Sequence, residues 1–251
     1  MSLAGRVALV TGAGRRVGQA IAIGLAEAGH DVAIHHHTAT DGAADTAARV
    51  RALGRRAELF PADLRDAHAA RRLPDEVAAR FGRLDVLVNS AAVFPKESLE
   101  AVTPESWDAT LAVNLRACFF TAQGAAPHLR RAGAGGARGG RIVNIADVAA
   151  FQPWPSYIPY GVSKAGVVLL TKSLARALAP EVTVNAVAPG GVLPPEDWTE
   201  EQRERFAQST PVGRLGSAGD VVGAVRYFVE LGDYVTGTLL VVDGGRAGGL
   251  G

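Results

Sequence analysis

Apolar, β-branched runs alternate along this chain with longer stretches whose apolar residues recur every three or four positions. The runs 6–11, 31–36, 57–60, 84–89, 141–146, 183–187 and 239–242 read as strands. Several are almost continuously apolar, as parallel strands covered on both faces require. The segments 17–28, 43–53, 67–81, 104–131, 155–178 and 218–231 read as helices. Repeated strand–helix alternation predicts an α/β fold, a doubly wound parallel sheet of about seven strands with helices on both faces. No second composition regime interrupts it, so residues 1–251 are expected to form a single domain. Two segments break the rhythm. Residues 132–140 are almost entirely Gly, Ala and Arg and read as a flexible surface loop. Residues 190–211 form a long connection at the carboxyl ends of the strands, where a substrate lid would sit.

Composition narrows the function classes. With 48% apolar residues, the 251-residue chain can bury a substantial core. Lys plus Arg number 26 and Asp plus Glu 25, a net charge of +1, so no nucleic-acid or membrane-surface partner is expected. Cys118 is the only cysteine, which rules out a disulfide framework or a cysteine-based metal site within one chain. The N-terminal residues carry no secretory pattern, and no window approaches the ~20 apolar residues of a membrane helix. A soluble, cytoplasmic protein is the expectation.

The first strand runs into Thr11-Gly12-Ala13-Gly14-Arg15-Arg16-Val17-Gly18 and then into a helix. Glycines at such a turn let the backbone approach a pyrophosphate at the helix N-terminus. Arg15 and Arg16 add positive charge beside it. The second strand ends in His35-His36-His37-Thr38, with no carboxylate at its tip. A carboxylate there would bind the ribose diol of NAD and repel the 2′-phosphate of NADP, so the pattern favours NADP(H). Consecutive strand residues alternate faces, so the three histidines cannot converge on one ion, and no metal site is expected.

Tyr160 and Lys164 are four residues apart in a helical pattern and share a face. An ammonium near the phenol is expected to lower its pKa from ~10 and make Tyr160 a general acid near neutral pH. Asp147 lies thirteen residues before Tyr160. Tyr157 has Gly161 at its i+4 position, lacks a lysine partner, and is expected to line the pocket instead.

The glycine turn, Asp63-Leu64 after the third strand, Asn89-Ser90-Ala91 after the fourth, Asn114, the Tyr160/Lys164 pair and Pro189-Gly190 occur in the order seen in the short-chain dehydrogenase/reductases, which the chain resembles over nearly its whole length. The resemblance implies a Rossmann-like fold. It implies that Gly12, Val17 and Gly18 form the phosphate turn, with His36, His37 and Thr38 at the cofactor's ribose. Asp63 and Leu64 would contact adenine. Asn89, Ser90, Ala91, Pro189 and Gly190 would line the rest of the cofactor cleft, with Asn185 belonging to the same segment as Pro189-Gly190. Lys164 would bind the nicotinamide ribose, and Asn114 would anchor a water leading to it. Asp243-Gly244-Gly245 would be structural. The chain departs from the family at Arg16, which replaces a glycine, at Ser90 and Ala92, and at Asp147, which replaces a serine. A serine hydroxyl donates a hydrogen bond to a carbonyl oxygen; an ionised carboxylate can only accept and would repel it.

Arg16, Phe94 five residues after Asn89, Asp147 and its spacing to Tyr160 resemble the pteridine reductase subgroup. That resemblance implies an NADPH-dependent reductase of pterin or folate substrates. Phe94 would stack on the ring, Arg16 would hydrogen-bond it, Ala92, Trp154 and Leu193 would line the pocket, and Asp147, Tyr160 and Lys164 would relay the proton. Residue 38 is Thr where the parasite enzymes of that subgroup place arginine. A carbonyl reductase of the same family, acting on an oxoacyl carrier protein, sugar or polyol, is the alternative reading. A catalytically silent NADP-binding sensor is a third. Family resemblance further implies a homotetramer built through long helices, with which the apolar stretch 166–174 is compatible.

Overall fold

Near-continuous apolar runs become strands buried on both faces, and the computed structural model describes them within residues 5–132, 139–194 and 198–247. The strands are β1 (Val7–Val10), β2 (Asp31–His36), β3 (Ala57–Pro61), β4 (Val86–Asn89), β5 (Gly140–Ile145), β6 (Val182–Pro189) and β7 (Leu239–Val242). All pair in parallel in the order β3-β2-β1-β4-β5-β6-β7. The chain starts mid-sheet, winds outward to β3, then returns to the other side of β1. This reversal opens a crevice beyond the carboxyl ends of β1 and β4, the position at which such sheets bind ligands. The Rossmann-like single-domain expectation holds.

Eight α-helices are described: α1 (Arg16–Glu27), α2 (Thr40–Ala52), α3 (Ala67–Phe81), α4 (Pro104–Leu111), α5 (Ala117–Ala132), α6 (Ile158–Leu178), α7 (Glu200–Gln208) and α8 (Ala218–Arg226). Helices α1, α2 and α8 cover one face of the sheet through a core that includes Ile21, Leu25, Ile34, Val225 and Phe228. Helices α3, α5 and α6 cover the other through Leu9, Leu73, Leu87, Leu129 and Ile142. Among the described residues no helix is long and apolar enough to cross a membrane.

Three helix expectations are corrected. The single helix at 104–131 is broken into α4, a π-turn at Ala112–Arg116, and α5. The pattern at 218–231 ends likewise in a π-turn, Tyr227–Leu231. Apolar periodicity runs through both breaks and cannot register one extra residue in a turn. The helix expected from 155 begins at Ile158, after Pro155, which lies outside it. The connection at 190–211 contains α7, which was not expected. Phe206 and Ala207 are its only apolar residues, so it gives little amphipathic signal. The legible clue was Thr199 and Gln202, which form a reciprocal capping box. The loop expected at 132–140 falls largely outside the described residues.

The second face is tied together by a buried polar chain. Thr121 Oγ1 donates to Asn89 Oδ1 at 2.7 Å, Asn89 Nδ2 donates to Asn144 Oδ1 at 2.9 Å, and Asn144 Nδ2 donates to Thr171 Oγ1 at 2.9 Å. It links α5, β4, β5 and α6 with each group satisfied, and a missing member would leave a desolvated donor. Asn144→Ala is therefore expected to destabilise the fold by roughly 2–3 kcal/mol, measured as a lower urea midpoint at unchanged slope.

Candidate active site

The phosphate turn is held by its neighbours on three sides. Thr11 Oγ1 accepts hydrogen bonds from Ser90 N at 2.9 Å and Ala91 N at 3.1 Å, which stitches the β1 turn to the β4 turn. Gly12 has a φ of +67° and lies so close to Ala91 that a Cβ would fall 2.8 Å from its Cα. A Cβ on Gly18 would fall 2.3 Å from the Gly12 carbonyl oxygen. Gly12 N donates to His35 Nδ1 at 3.0 Å. Thr11 and His35 are site-shaping residues that sequence reasoning missed: each reads as an ordinary strand-end residue until the neighbouring strand is placed beside it.

Arg16 explains the family's glycine at this position. Its φ is +51°, the left-handed region, where a side chain costs about 1 kcal/mol. Its Nη2 donates to the carbonyl of Leu193 at 2.6 Å, so it bridges the phosphate turn and the loop after β6. Leu193, itself an expected pocket wall, thus takes up one of the donors of the exposed Arg16 guanidinium. Arg15, exposed, forms the N-cap of α1, and Val17 packs on the core beneath it.

At the exit of β2, His36 is buried while His37 and Thr38 are exposed. His37 Nε2 lies 3.9 Å from Asp63. The guanidinium of Arg65, donating to Asp63, holds that carboxyl down to about 2. Leu64 is buried. Among the described residues no cluster of three or more His, Cys, Asp or Glu could hold a metal ion.

Two asparagines expected at the cofactor face elsewhere. Asn89 directs its side chain into the buried polar chain, leaving only its backbone toward the cleft. Asn185 Nδ2 donates to Val235 O at 2.8 Å and its Oδ1 accepts from Thr238 N at 3.2 Å, fastening the approach to β7. Pro189 ends β6, and Gly190 N donates to Val242 O at 2.9 Å. A Cβ on Gly190 would collide with Asp243. Asp243 caps the following turn through Gly245 N and Ala247 N.

The π-turn centres on Asn114, which is fully buried. Asn114 Oδ1 accepts from Val93 N at 2.8 Å, and its Nδ2 donates to Val93 O at 3.0 Å and to Ser163 Oγ at 3.2 Å. Its side chain thus clamps the loop bearing Ala92 and Phe94 to α6.

Helix α6 carries Tyr160 and Lys164, and the end of β5 carries Asp147. Tyr160 Oη donates to Asp147 Oδ2 at 2.9 Å, and Ala149 N donates to Asp147 Oδ1 at 2.8 Å. Lys164 Nζ donates to Ile145 O at 2.8 Å and lies 5.6 Å from the Tyr160 ring centroid. Tyr160 and Lys164 are buried and Asp147 is half-buried. Burial raises the Asp147 pKa above the usual carboxylate range, against the opposing pull of the Ala149 and Tyr160 hydrogen bonds and the Lys164 charge. Burial lowers that of Lys164. Tyr160 is the correction: burial, then the charge of Asp147 and the bond to it, push its pKa well above 10. In place of the expected lowering by lysine, burial acts first and the Asp147 carboxylate in direct contact with the phenol acts second.

An aromatic group overhangs this cluster. Phe94 stacks on Tyr157, with centroids 4.2 Å apart and planes at 7°, and meets Tyr160 edge-on at 4.5 Å. Trp154 closes the group edge-on at 6.3 Å from Phe94. Phe94 remains 52% exposed, so a face of the group is open to a ligand. Ala92 beside it is exposed as well. A cavity of about 510 Å³ lies to the side, lined by Phe206, Val212, Tyr227 and Asp243, and includes neither Asp147 nor Tyr160. Its size does not outweigh the chemistry of the Tyr160 cluster.

A dinucleotide fits the cleft on two observations. The turn leads directly into the N-terminus of α1, whose first amides have no intrahelical partner. His36 Nδ1 is buried at the tip of β2 with no hydrogen-bond partner among the described residues.

Residues 12–247 match the family described as enoyl-(acyl carrier protein) reductase. A probable galactose dehydrogenase of Rhizobium meliloti is 37% identical, with 96% of this chain and 94% of that protein covered. The 3-oxoacyl-[acyl-carrier-protein] reductase of Staphylococcus aureus is 35% identical over 95% of this chain and 96% of its own. A crystal structure of a gluconate 5-dehydrogenase from Burkholderia cenocepacia, in complex with NADP and tartrate, superposes with a TM-score of 0.88 at 33% identity, covering 99% of this chain and 97% of that one. The chain belongs to the short-chain dehydrogenase/reductase family, and as such is an NAD(P)-dependent oxidoreductase. These relatives act on sugars, sugar acids and oxoacyl groups by name, and none is a pterin enzyme.

Gly18→Ala tests the turn. The close approach to the Gly12 carbonyl forces the backbone apart, and affinity for NADP+ in calorimetry is expected to fall by more than about tenfold.

Proposed function

We propose that this protein interconverts a carbonyl and a secondary alcohol on a polyhydroxylated small molecule, a sugar or sugar acid, using NADP(H). The observation that carries the reading is the buried Tyr160–Asp147 hydrogen bond beside Lys164, next to a dinucleotide-type turn. Kinship to a galactose dehydrogenase and a gluconate dehydrogenase supports the substrate class. The preference for NADP(H) is supported by a β2 tip without a carboxylate, by Arg15 and Arg16, and by NADP in the gluconate 5-dehydrogenase structure. The pterin reading has less support, since one Arg16 donor is taken up by Leu193 and the relatives are by name sugar, sugar-acid and oxoacyl enzymes.

Bound nicotinamide supplies the hydride to the carbonyl carbon. Tyr160 gives its hydroxyl proton to the carbonyl oxygen and recovers one through Asp147. Lys164 keeps positive charge near the developing phenolate. Asp147 takes the position of the family serine, and only its neutral form can donate to oxygen. A buried carboxyl of raised pKa holds that proton over a wider pH range than an ordinary one. The carboxylate form opposes the reaction twice, by repelling the substrate oxygen and by holding the Tyr160 proton.

A panel of galactose, a keto-gluconate, an acetoacetyl thioester and dihydrobiopterin, followed by NADPH absorbance in the appropriate direction, tests the class. Turnover of the sugar or keto acid is expected. Turnover of the thioester alone would move the assignment to oxoacyl reduction, and turnover of dihydrobiopterin alone would restore the pterin reading. Tight NADP+ binding with no turnover would favour a sensor.

The pH profile tests Asp147. Reduction is expected to fall as pH rises through the raised Asp147 pKa, because the donor form is lost. In Asp147→Ser no carboxyl titrates there, and the fall in kcat/KM moves to higher pH. Superimposable profiles would remove Asp147 from the chemistry. Tyr160→Phe is expected to lower kcat by about 100-fold or more, with NADP+ affinity little changed.

A further inference from the structure

His35 lies on β2 at 2% exposure, beneath the phosphate turn. Both ring nitrogens are engaged. Gly12 N donates to Nδ1 at 3.0 Å, and Nε2 faces the carbonyl oxygen of Ala62 at 3.1 Å. Because Nδ1 receives an N–H, it must carry a lone pair, and Nε2 must carry the hydrogen. The backbone adds a second hold: Ala13 N donates to the carbonyl of His35 at 2.9 Å. One residue therefore receives two consecutive amides of the turn, one on its ring and one on its backbone. On the far side the ring bonds to the chain just after β3, where Ala62 N returns a bond to His36 O at 3.0 Å. The imidazole is a rigid spacer between the β1 turn and the β3 exit.

The consequence follows from how little freedom the turn has. Gly12 is pressed on Ala91, Gly18 on Gly12, and Thr11 holds the β4 turn. The remaining constraint on the direction of the Gly12 peptide is its N–H, and His35 Nδ1 sets it. With that peptide fixed, the amides that follow at the start of α1 are left for phosphate oxygens. Burial holds the His35 pKa down to about 4, so the neutral ring that this geometry requires is the prevailing form near pH 7.

We infer that His35 is a positioning residue for the dinucleotide: it makes no contact with the phosphates, but its neutral Nε2–H imidazole orients the Gly12 amide of the turn that shapes their cradle, while its backbone carbonyl holds the Ala13 amide. The inference concerns the cofactor end alone and is independent of the carbonyl substrate.

Calorimetric titration of NADP+ and NAD+ into wild type, His35→Ala and His35→Asn tests it. Asn can present Oδ1 to the Gly12 amide from nearly the position of Nδ1. The dissociation constant of the preferred dinucleotide is expected to rise about tenfold in His35→Ala and to return to within about threefold of wild type in His35→Asn. A lowered melting temperature with unchanged affinity in His35→Ala would reduce His35 to a core residue and overturn the inference. Equal losses in both variants would do the same. Should His35→Ala fail to fold, long-range 1H–15N correlation of the wild-type histidines decides: Nε2–H with an accepting Nδ1 is expected, and the Nδ1–H tautomer would overturn it.

Discussion

The carboxyl end of a buried parallel sheet must satisfy its polar groups without water, and this constraint organises the molecule. Strand ends there cannot turn to solvent, so side chains from neighbouring strands take up the amides and carbonyls. Thr11 serves the amides after β4, His35 serves the amides after β1, and Asn89 and Asn144 serve each other between β4 and β5. Each bond joins elements distant in sequence. The result is a set of turns held rigidly enough that a glycine cradle keeps its shape.

The same scarcity of water governs the catalytic end. Half-buried Asp147 meets buried Tyr160 and Lys164, so each raises the stakes of the others' charge state. A carboxylate in contact with a phenol is a poor arrangement for proton donation, and a carboxylic acid in the same place is a good one. Burial moves that balance in the direction of the acid, against the hydrogen bonds of Ala149 and Tyr160 and the charge of Lys164. The aromatic group of Phe94, Tyr157 and Trp154 overhangs the pair, and Asn114 fixes its loop to α6.

The strands and most helices were legible because hydrophobic periodicity reports burial directly. Helix α7 was not, because Phe206 and Ala207 are its only apolar residues and only its capping box marks it. The π-turns escaped because they preserve the apolar pattern while shifting the helix face by one residue. Asn89 and Asn185 matched a family pattern, yet their side chains serve the interior. A motif fixes which residue stands at a place without fixing where its side chain turns. The relatives favour the carbonyl alternative over the pterin reading, which rested on Arg16 and Phe94. Arg16 and Phe94 were assigned outward to a ligand, while the tertiary structure gives Arg16 the Leu193 carbonyl and Phe94 the Tyr157 ring.

By itself the sequence determined the doubly wound sheet, the phosphate turn, and the presence of Tyr160, Lys164 and Asp147, because burial patterns and short spacings are local properties of the chain. Only the tertiary structure decided the direction in which Asp147 faces and how it sets the phenol's acidity. Position 147 and position 160 meet through the packing of β5 against α6, and the charge on their pair depends on how completely that packing excludes water.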